Sequence, residues 1–237
     1  MTGRIDIHCH LLPGVDDGCQ TLEESLACAR ALVAAGYARA FCTPHIWPNL
    51  TNNTIDNITR WVDALQTQLD EHGIALKLIP GGEISLRPDI ATAVPPEQLV
   101  TYAMKRRYVL IDLWADKLPA YFEPSIQWMQ SLGLTVILAH PERMRAVQLE
   151  PELADEFERL DVLLQGNLQC FGDPLGSDTR RVAELYLREE RYFAIGSDTH
   201  GMDSIEKRLS GLKRLESMAS SETLDRLLRE NPSKLIA

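Results

Sequence analysis

Short, nearly continuous apolar runs recur along the chain, and longer segments with a helical spacing of apolar residues separate them. Each run ends in a polar residue or a turn signal. Short runs of this kind are typical of strands that are buried on both faces, as in a parallel sheet. The seven predicted strands cover residues 4–8, 39–44, 76–83, 108–113, 135–140, 162–167 and 192–198.

Amphipathic helices are predicted between these strands. Thr21 is a candidate N-cap with Glu24 at the third helical position, a capping box, and Gly36 ends that helix. Residues 52–73 carry an apolar stripe at helical spacing, with His72 at the expected helix end. Further helices are predicted over residues 119–133, 151–160, 177–190 and, as two or three closing helices, 204–237.

The alternation of strands and helices predicts βα units around a parallel sheet. Seven strands favour a closed or nearly closed barrel over an open sheet. A chain of 237 residues without a linker or an internal repeat is predicted to form one α/β domain over residues 1–237.

Potential metal ligands follow the predicted strands at the same end of each. Parallel β/α architectures place their chemistry at the carboxyl ends of the strands. Five of the six histidines fall there, and His72 is the exception. The residues at these ends are His8, His10, Asp17, His45, Glu83, Asp112, His140, Asn167, Asp198 and His200.

Imidazole and carboxylate ligands together suit Mn, Fe or Zn, and no cysteine is needed as a ligand. The set is too large for one ion, so two or three divalent ions are expected, with carboxylates such as Glu83 bridging them. Such a cluster can bind a phosphoryl group and activate water. Three divalent ions would outweigh the four carboxylates in formal charge, and the excess favours a phosphate dianion.

Arg143 lies three residues beyond His140. It could bind a substrate phosphate bidentately, or it could form a surface salt bridge with Glu142 or Glu150. Trp47 could line the entrance or pack in a half-buried position. No cysteine is followed six positions later by arginine, and GxSxG and GxxxxGK[ST] motifs are absent from the sequence, which excludes those routes to phosphate or ester chemistry.

The net charge of −10 argues against nucleic acid and anionic membranes as partners. No apolar run approaches the length of a membrane span, and no signal peptide is recognised. Five scattered cysteines do not indicate a disulfide framework, so reduced thiols and a cytoplasmic location are expected.

The motifs IDIHCH, VDDG, TPH, GGEI, LIDL, AHPER, QGN and SDTHG occur in this order. In this arrangement the chain resembles the polymerase-and-histidinol-phosphatase (PHP) superfamily, and it is most similar there to the bacterial CpsB/YwqE-like protein-tyrosine phosphatases. The resemblance implies a distorted (βα)7 barrel with a trinuclear, commonly manganese, centre. It also implies hydrolysis of phosphotyrosine on a bacterial tyrosine kinase that regulates capsular or exopolysaccharide synthesis.

The resemblance also assigns roles to residues. It implies phosphate binding by Arg143, a catalytic role for Arg143, Asp198 and His200, and Asp17 rather than Asp16 as a ligand. The implied metal ligands are His8, His10, Asp17, His45, Glu83, Asp112, His140, Asp198 and His200.

Two positions depart from the family pattern. Asp112 stands where the group usually has the longer Glu. Ile205 stands where a second phosphate-binding arginine is usual, and Arg208 is the candidate substitute in substrate binding.

These patterns favour a metal-dependent phosphomonoesterase that acts on a phosphotyrosine protein. One alternative is a small-molecule phosphatase of histidinol-phosphatase type. The other is a non-catalytic, metal-binding module that docks on a kinase.

Overall fold

Parallel strands form the frame of the molecule, which a computed structural model describes over residues 3–237. They pair in the orders β1-β2-β4 and β3-β5-β6-β7-β8-β9. The strands are β1 Arg4–Cys9, β2 Tyr37–Cys42, β3 His45–Ile46, β4 Lys77–Pro80, β5 Glu83–Ser85, β6 Tyr108–Asp112, β7 Thr135–Ala139, β8 Leu163–Asn167 and β9 Tyr192–Gly196.

Each of the seven predicted strands is present. An additional short strand, β3, begins just beyond the predicted end of the second, and the third is divided into β4 and β5. Pro44 has no N–H to donate, so the ladder along β2 stops and restarts as β3, where His45 is the register partner of Glu83. Gly81 and Gly82 separate β4 from β5. A Cβ on Gly82 would lie 2.7 Å from a Val100 methyl group, so this bend needs glycine.

The first and last strands close the barrel. The Asp198 N–H donates to the His8 carbonyl oxygen at 2.6 Å, and the His10 N–H donates to the Thr199 carbonyl oxygen at 2.9 Å. Ile7 of β1, Phe41 of β2 and Ile137 of β7 share one buried cluster inside the ring, although β7 belongs to the other set of paired strands. The barrel-like α/β fold predicted from the sequence is therefore confirmed.

Helices cover the outside of this ring. None of those in residues 3–237 combines the length and the apolar character that a bilayer crossing requires. They are α1 Leu22–Ala34, α2 Ile55–Glu71, α3 Ile90–Ala93, α4 Phe122–Ser131, α5 Arg145–Leu149, α6 Leu153–Arg159, α7 Leu168–Phe171, α8 Asp178–Arg188, α9 Met202–Met218, α10 Ser221–Asp225 and α11 Asn231–Lys234, with 3₁₀ turns at Pro96–Gln98, Tyr102–Met104 and Pro141–Arg143 and a π-turn at Arg226–Glu230.

Only one of the two hydrogen bonds of the capping box predicted at the start of α1 is present. Thr21 Oγ1 accepts from the Glu24 N–H at 3.2 Å, as an N-cap does. The capping box is wrong in its other half, because Glu24 does not turn back to Thr21. Its carboxylate accepts from the N–H groups of Gln20 and Met202, the second of which begins α9. Glu24 therefore ties α1 to the segment that follows β9.

Close backbone contact joins the helices that follow β8 and β9. A Cβ on Gly211 of α9 would lie 1.8 Å from the Leu168 carbonyl oxygen of α7. Since no side chain fits there, glycine allows α9 to rest directly on α7. This contact fixes the two segments that leave the last strands of the barrel.

We expect Gly211→Ala to lower the free energy of unfolding by about 2–3 kcal/mol, since the added methyl group forces α7 and α9 apart. Denaturant unfolding followed by circular dichroism measures this. The exposed neighbour Ser210 supplies the control, because Ser210→Ala should change stability by less than about 0.5 kcal/mol. Unchanged stability of Gly211→Ala would contradict this packing.

Candidate metal centre

The carboxyl ends of the strands converge on a cavity of about 300 Å³. His8 and Asp112 lie within strands, His45 and Glu83 begin strands, and His140 directly follows one. The cavity is lined by Asp17, His45, Trp47, Glu83, Asp112, Trp114, His140, Arg143, Asp198, His200 and Arg208. His8 and His10 are buried beneath it. The structure thus brings together every site residue predicted from the sequence.

Two of these residues have left-handed backbones. His140 has φ of 33° and Asp198 has φ of 52°, a region that residues with side chains seldom occupy. Such conformations cost energy and cluster at functional sites. In both cases the backbone turns sharply where the strand ends, which directs the side chain into the cavity.

The ligand atoms form three groups, in each of which they lie within 4.8 Å of one another. His8 and His10 each belong to two groups, so the groups share members. The groups are His10, Asp17, His45 and His200; His8, His10 and Asp198; and His8, Glu83 and His140. Because Nδ1 of the His8 ring and of the His10 ring is engaged elsewhere, each ring has one nitrogen left for one cation, and the overlap places the candidate positions next to one another.

Glu83 is placed to bridge such positions. Its Oε2 lies 2.8 Å from His45 Nδ1 and 3.3 Å from His8 Nε2, while Oε1 lies 3.0 Å from His140 Nε2. Asp198 plays a similar part, with Oδ1 3.2 Å from His200 Nδ1 and 3.5 Å from His8 Nε2. Each carboxylate therefore faces several imidazole nitrogens at once.

The tautomers of His8 and His10 show that these nitrogens suit a cation. His8 Nδ1 donates to Gln165 Oε1 at 2.8 Å, and His10 Nδ1 donates to Asp16 Oδ2 at 2.7 Å. The other ring nitrogens, both Nε2, lie 3.2 Å apart, so without a proton or a cation their lone pairs would face each other. Two facing lone pairs repel unless a proton or a cation lies beside them.

Seven buried side-chain polar atoms in residues 3–237 lack a hydrogen-bond partner, and three of them lie at the site: His45 Nδ1, Glu83 Oε2 and Asp112 Oδ1. His45 Nδ1 and Glu83 Oε2 are close to each other but not in hydrogen-bond geometry. Buried polar atoms without a partner are costly, and cation coordination would satisfy them. Nitrogen and oxygen donors without sulfur suit Mn, Fe or Zn. The residues present therefore fit a cluster of divalent cations.

The close packing of carboxylates and imidazoles determines their protonation states. Burial alone would raise the pKa of Glu83 and Asp198, but contacts with the histidines hold both pKa values well below the usual range. Burial would lower the pKa of His10, yet Asp16 raises it well above the usual value. Both carboxylates are thus ionised at neutral pH, and a cation that binds must displace protons from the imidazoles.

Sequence reasoning did not assign a role to Asp16 or Gln165, which orient ligands from outside the cluster. The buried Asp16 carboxylate accepts from His10 Nδ1, and also from the N–H groups of Gly18 and His45 at 2.9 and 3.0 Å. Asp17, its neighbour, lies 3.2 Å from His45 Nε2. The signal in the sequence for Gln165 was a polar residue inside an otherwise apolar strand.

Asp112 lies at the edge of the site. Its Oδ1 is 3.8 Å from His140 Nδ1, and its Oδ2 accepts from the Trp114 indole N–H at 2.8 Å. Among the described residues it belongs to none of the three ligand groups. The shorter side chain at this position keeps its carboxylate outside the groups, although it still lines the cavity.

The two candidate arginines differ in what they touch. Arg143 Nη1 donates to Asp198 Oδ2 at 2.9 Å, and its side chain is 27% exposed at the cavity. Glu142 instead turns inward, where it accepts from the Asn167 N–H at 2.6 Å. Among residues 3–237 Arg143 pairs with Asp198 and with neither Glu142 nor Glu150, so the surface salt bridge considered for it is wrong and Arg143 faces the cavity.

Arg208 lines the same cavity but is only 4% exposed. Its Nε donates to the Asp198 carbonyl oxygen at 2.6 Å, which supports the left-handed backbone there. Burial lowers the pKa of its guanidinium. Ile205 is buried in the apolar core instead of at the cavity.

Comparison with known proteins gives consistent matches over most of the chain. A family profile described as capsular polysaccharide synthesis, CpsB/CapC, matches residues 4–237. Tyrosine-protein phosphatase YwqE of Bacillus subtilis is 30% identical over 202 residues, which cover 84% of this chain and 78% of that protein. Tyrosine-protein phosphatase CpsB of Streptococcus agalactiae is 25% identical over 210 residues, 84% of each.

A solved structure agrees with these matches. It comes from work on YwqE of Bacillus subtilis and CpsB of Streptococcus pneumoniae, described as metal-dependent tyrosine phosphatases. It superposes with a TM-score of 0.82 at 26% identity and covers 98% of this chain and 91% of its own.

We expect His8→Ala to lower the Mn²⁺ content by roughly one ion per chain, because the variant loses Nε2, the one ring nitrogen of His8 that is available to a cation. Elemental analysis after equilibration with Mn²⁺ measures the content. His72 is the matched control, since it lies exposed at the end of α2, and His72→Ala should retain the wild-type content. Equal content in both variants would argue against the cluster.

Asp16→Asn should weaken Mn²⁺ binding by about 10- to 100-fold, because the His10 ring loses its charged partner while the size of the side chain is kept. Titration of the metal-free protein gives the affinity. Asp63→Asn, on the exposed face of α2, should leave it unchanged. Wild-type affinity in Asp16→Asn would show that this partner does not matter.

Proposed function

The chain belongs to the capsular polysaccharide synthesis CpsB/CapC family, and from this premise we propose that residues 1–237 form one metal-dependent phosphatase domain that hydrolyses phosphotyrosine in proteins. One observation carries the proposal. A buried cluster of imidazoles and carboxylates that fits divalent cations opens to solvent beside a single half-buried arginine, Arg143.

Arg143 is suited to hold the phosphate. Asp198 Oδ2 accepts from one of its terminal nitrogens at 2.9 Å, which fixes the guanidinium at the cavity. The remaining N–H groups are free to donate to phosphate oxygens in the bidentate geometry that guanidinium favours. As negative charge grows on those oxygens during hydrolysis, a donor already in place stabilises it.

Asp198 and His200 complete the residues that we assign to catalysis. His200 Nδ1 lies 2.9 Å from the Asp198 carbonyl oxygen, to which it donates, so its Nε2 faces outward toward Asp17. Asn167 Nδ2 donates to Asp198 Oδ2 at 2.7 Å and keeps that carboxylate in place. Divalent cations, when bound, supply Lewis-acid polarisation of the phosphoryl group and lower the pKa of water.

Our proposal includes finer assignments that rest on the family resemblance. The cations are two or three in number and Mn²⁺ by preference, with Fe or Zn as alternatives. The substrate is a phosphotyrosine protein, a bacterial tyrosine kinase that regulates capsular or exopolysaccharide synthesis. The proposed location is the cytoplasm, and it accords with five free, buried thiols.

The ligand set and the leaving group favour this function over its alternatives. A non-catalytic module would not need Arg143 beside a complete set of ligands. Tyrosine leaves as a phenolate with a pKa of about 10, so an aryl ester needs less help from an acid than an alkyl ester does. Histidinol-type alkyl phosphates are accordingly the poorer candidates.

Purified protein with Mn²⁺ should hydrolyse a phosphotyrosine peptide faster than an alkyl phosphate, and chelator should abolish the activity. Arg143→Ala should lower kcat/KM by about 100-fold or more, since the charged donor to the phosphate is lost. Release of inorganic phosphate is the measurement.

Arg145 is the matched control for Arg143. It lies two positions away, exposed and paired with Asp178 on the surface, so Arg145→Ala should retain wild-type activity. Activity that survives chelator would contradict the metal mechanism. Faster hydrolysis of alkyl phosphates would favour the small-molecule alternative, and metal binding without any turnover would favour the regulatory module.

A further inference from the structure

Trp114 combines high exposure with two fixed contacts at the cavity. Its side chain is 62% exposed. Its indole N–H donates to Asp112 Oδ2 at 2.8 Å, and the Arg143 guanidinium carbon lies 4.7 Å from its ring centre. An indole anchored in this way keeps an apolar surface in water without being free to turn away from it.

A second tryptophan lines the same cavity. Trp47 lies in the segment after β3, half-buried, with its ring stacked on His45 at 4.1 Å between centres and 20° between planes. Trp114 lies in the segment after β6. In the sheet, β5 lies between these two strands, so the two indoles flank its carboxyl end, and both line the cavity together with Glu83.

We propose that Trp114, with Trp47, forms an aryl subsite that binds the phenyl ring of the substrate and so selects aryl over alkyl phosphates. This inference rests on the proposed phosphatase function. It assigns Trp114 a direct contact with the substrate in addition to its contact with Arg143.

The position of Arg143 supports this assignment. A phosphate that accepts from Arg143 lies beside the indole, because the guanidinium is stacked on that indole. The ester oxygen joins the phosphate directly to the phenyl ring, so a ring directed toward Trp114 would lie against the exposed indole. Aromatic rings in edge or offset contact attract each other beyond the effect of area alone. An alkyl ester has no aromatic ring that could contact Trp114.

Trp114 also orients its neighbours, and this second role needs to be separated from the first. Loss of the indole would free both the Asp112 carboxylate and the Arg143 guanidinium, which would weaken every phosphate ligand equally. Loss of a ring contact would weaken only ligands that carry an aryl group. Trp114→Phe removes the N–H donor and keeps an aromatic face, while Trp114→Ala removes both.

Binding of phenylphosphonate and of methylphosphonate to the Mn²⁺-loaded protein tests the subsite by titration calorimetry, without turnover. We expect Trp114→Ala to weaken phenylphosphonate by about 3- to 10-fold more than methylphosphonate. Trp114→Phe should retain most of the wild-type preference for the aryl ligand. Leu149 is the control, since it is 60% exposed but lies outside the cavity lining, and Leu149→Ala should change neither affinity.

Equal losses for both ligands in Trp114→Ala would overturn the subsite and leave a positioning role. No loss for either ligand would also overturn it. Failure of the proposed function would give a different result. Wild-type protein would then bind phenylphosphonate but release no phosphate from a phosphotyrosine peptide. The two failures are thus told apart by separate measurements.

Discussion

Two ionised carboxylates that are buried among imidazoles are the constraint on which the rest of the site depends. Glu83 and Asp198 each face several histidine nitrogens within about 3.5 Å, and neither carboxylate reaches bulk water. Removing such charges from water is costly unless positive charge lies beside them. Protons on the imidazoles meet this need in part, and divalent cations meet it more fully.

The fold brings these carboxylates and imidazoles close to one another. Breaks at Pro44 and at Gly81–Gly82 let the second and third strand positions bend, so that His45 and Glu83 begin new strands side by side. Arg208, placed on α9, secures the strained backbone of Asp198 through its carbonyl oxygen. Ligand geometry here is therefore a property of backbone turns as much as of side chains.

Features that recur along the chain could be predicted from the sequence. Features that depend on a single tertiary contact could not. Strand ends could be located from apolar runs, and the ligand positions followed because parallel strands deliver their carboxyl ends to one edge. Asp16 and Asp17 are adjacent and chemically identical, so residue type and spacing do not separate them; the resemblance favoured Asp17 as a ligand, and the fold places Asp16 against His10 Nδ1 and Asp17 near His45 Nε2. Arg208 was predicted to bind substrate, and it lines the cavity, but the sequence did not indicate that its Nε donates to the Asp198 backbone. Nothing local in the sequence encodes that contact.

The seam between β1 and β9 has a consequence for how the molecule is made. His8 and Asp198 are joined by a backbone hydrogen bond although nearly the whole chain separates them. During synthesis the first ligands leave the ribosome long before their partners exist, and contacts between such distant residues form slowly. The complete set of candidate ligands therefore cannot assemble until β9 has been made, although His8, Glu83 and His140 are all present earlier. The nascent chain stays without the complete centre until the barrel is ready to close.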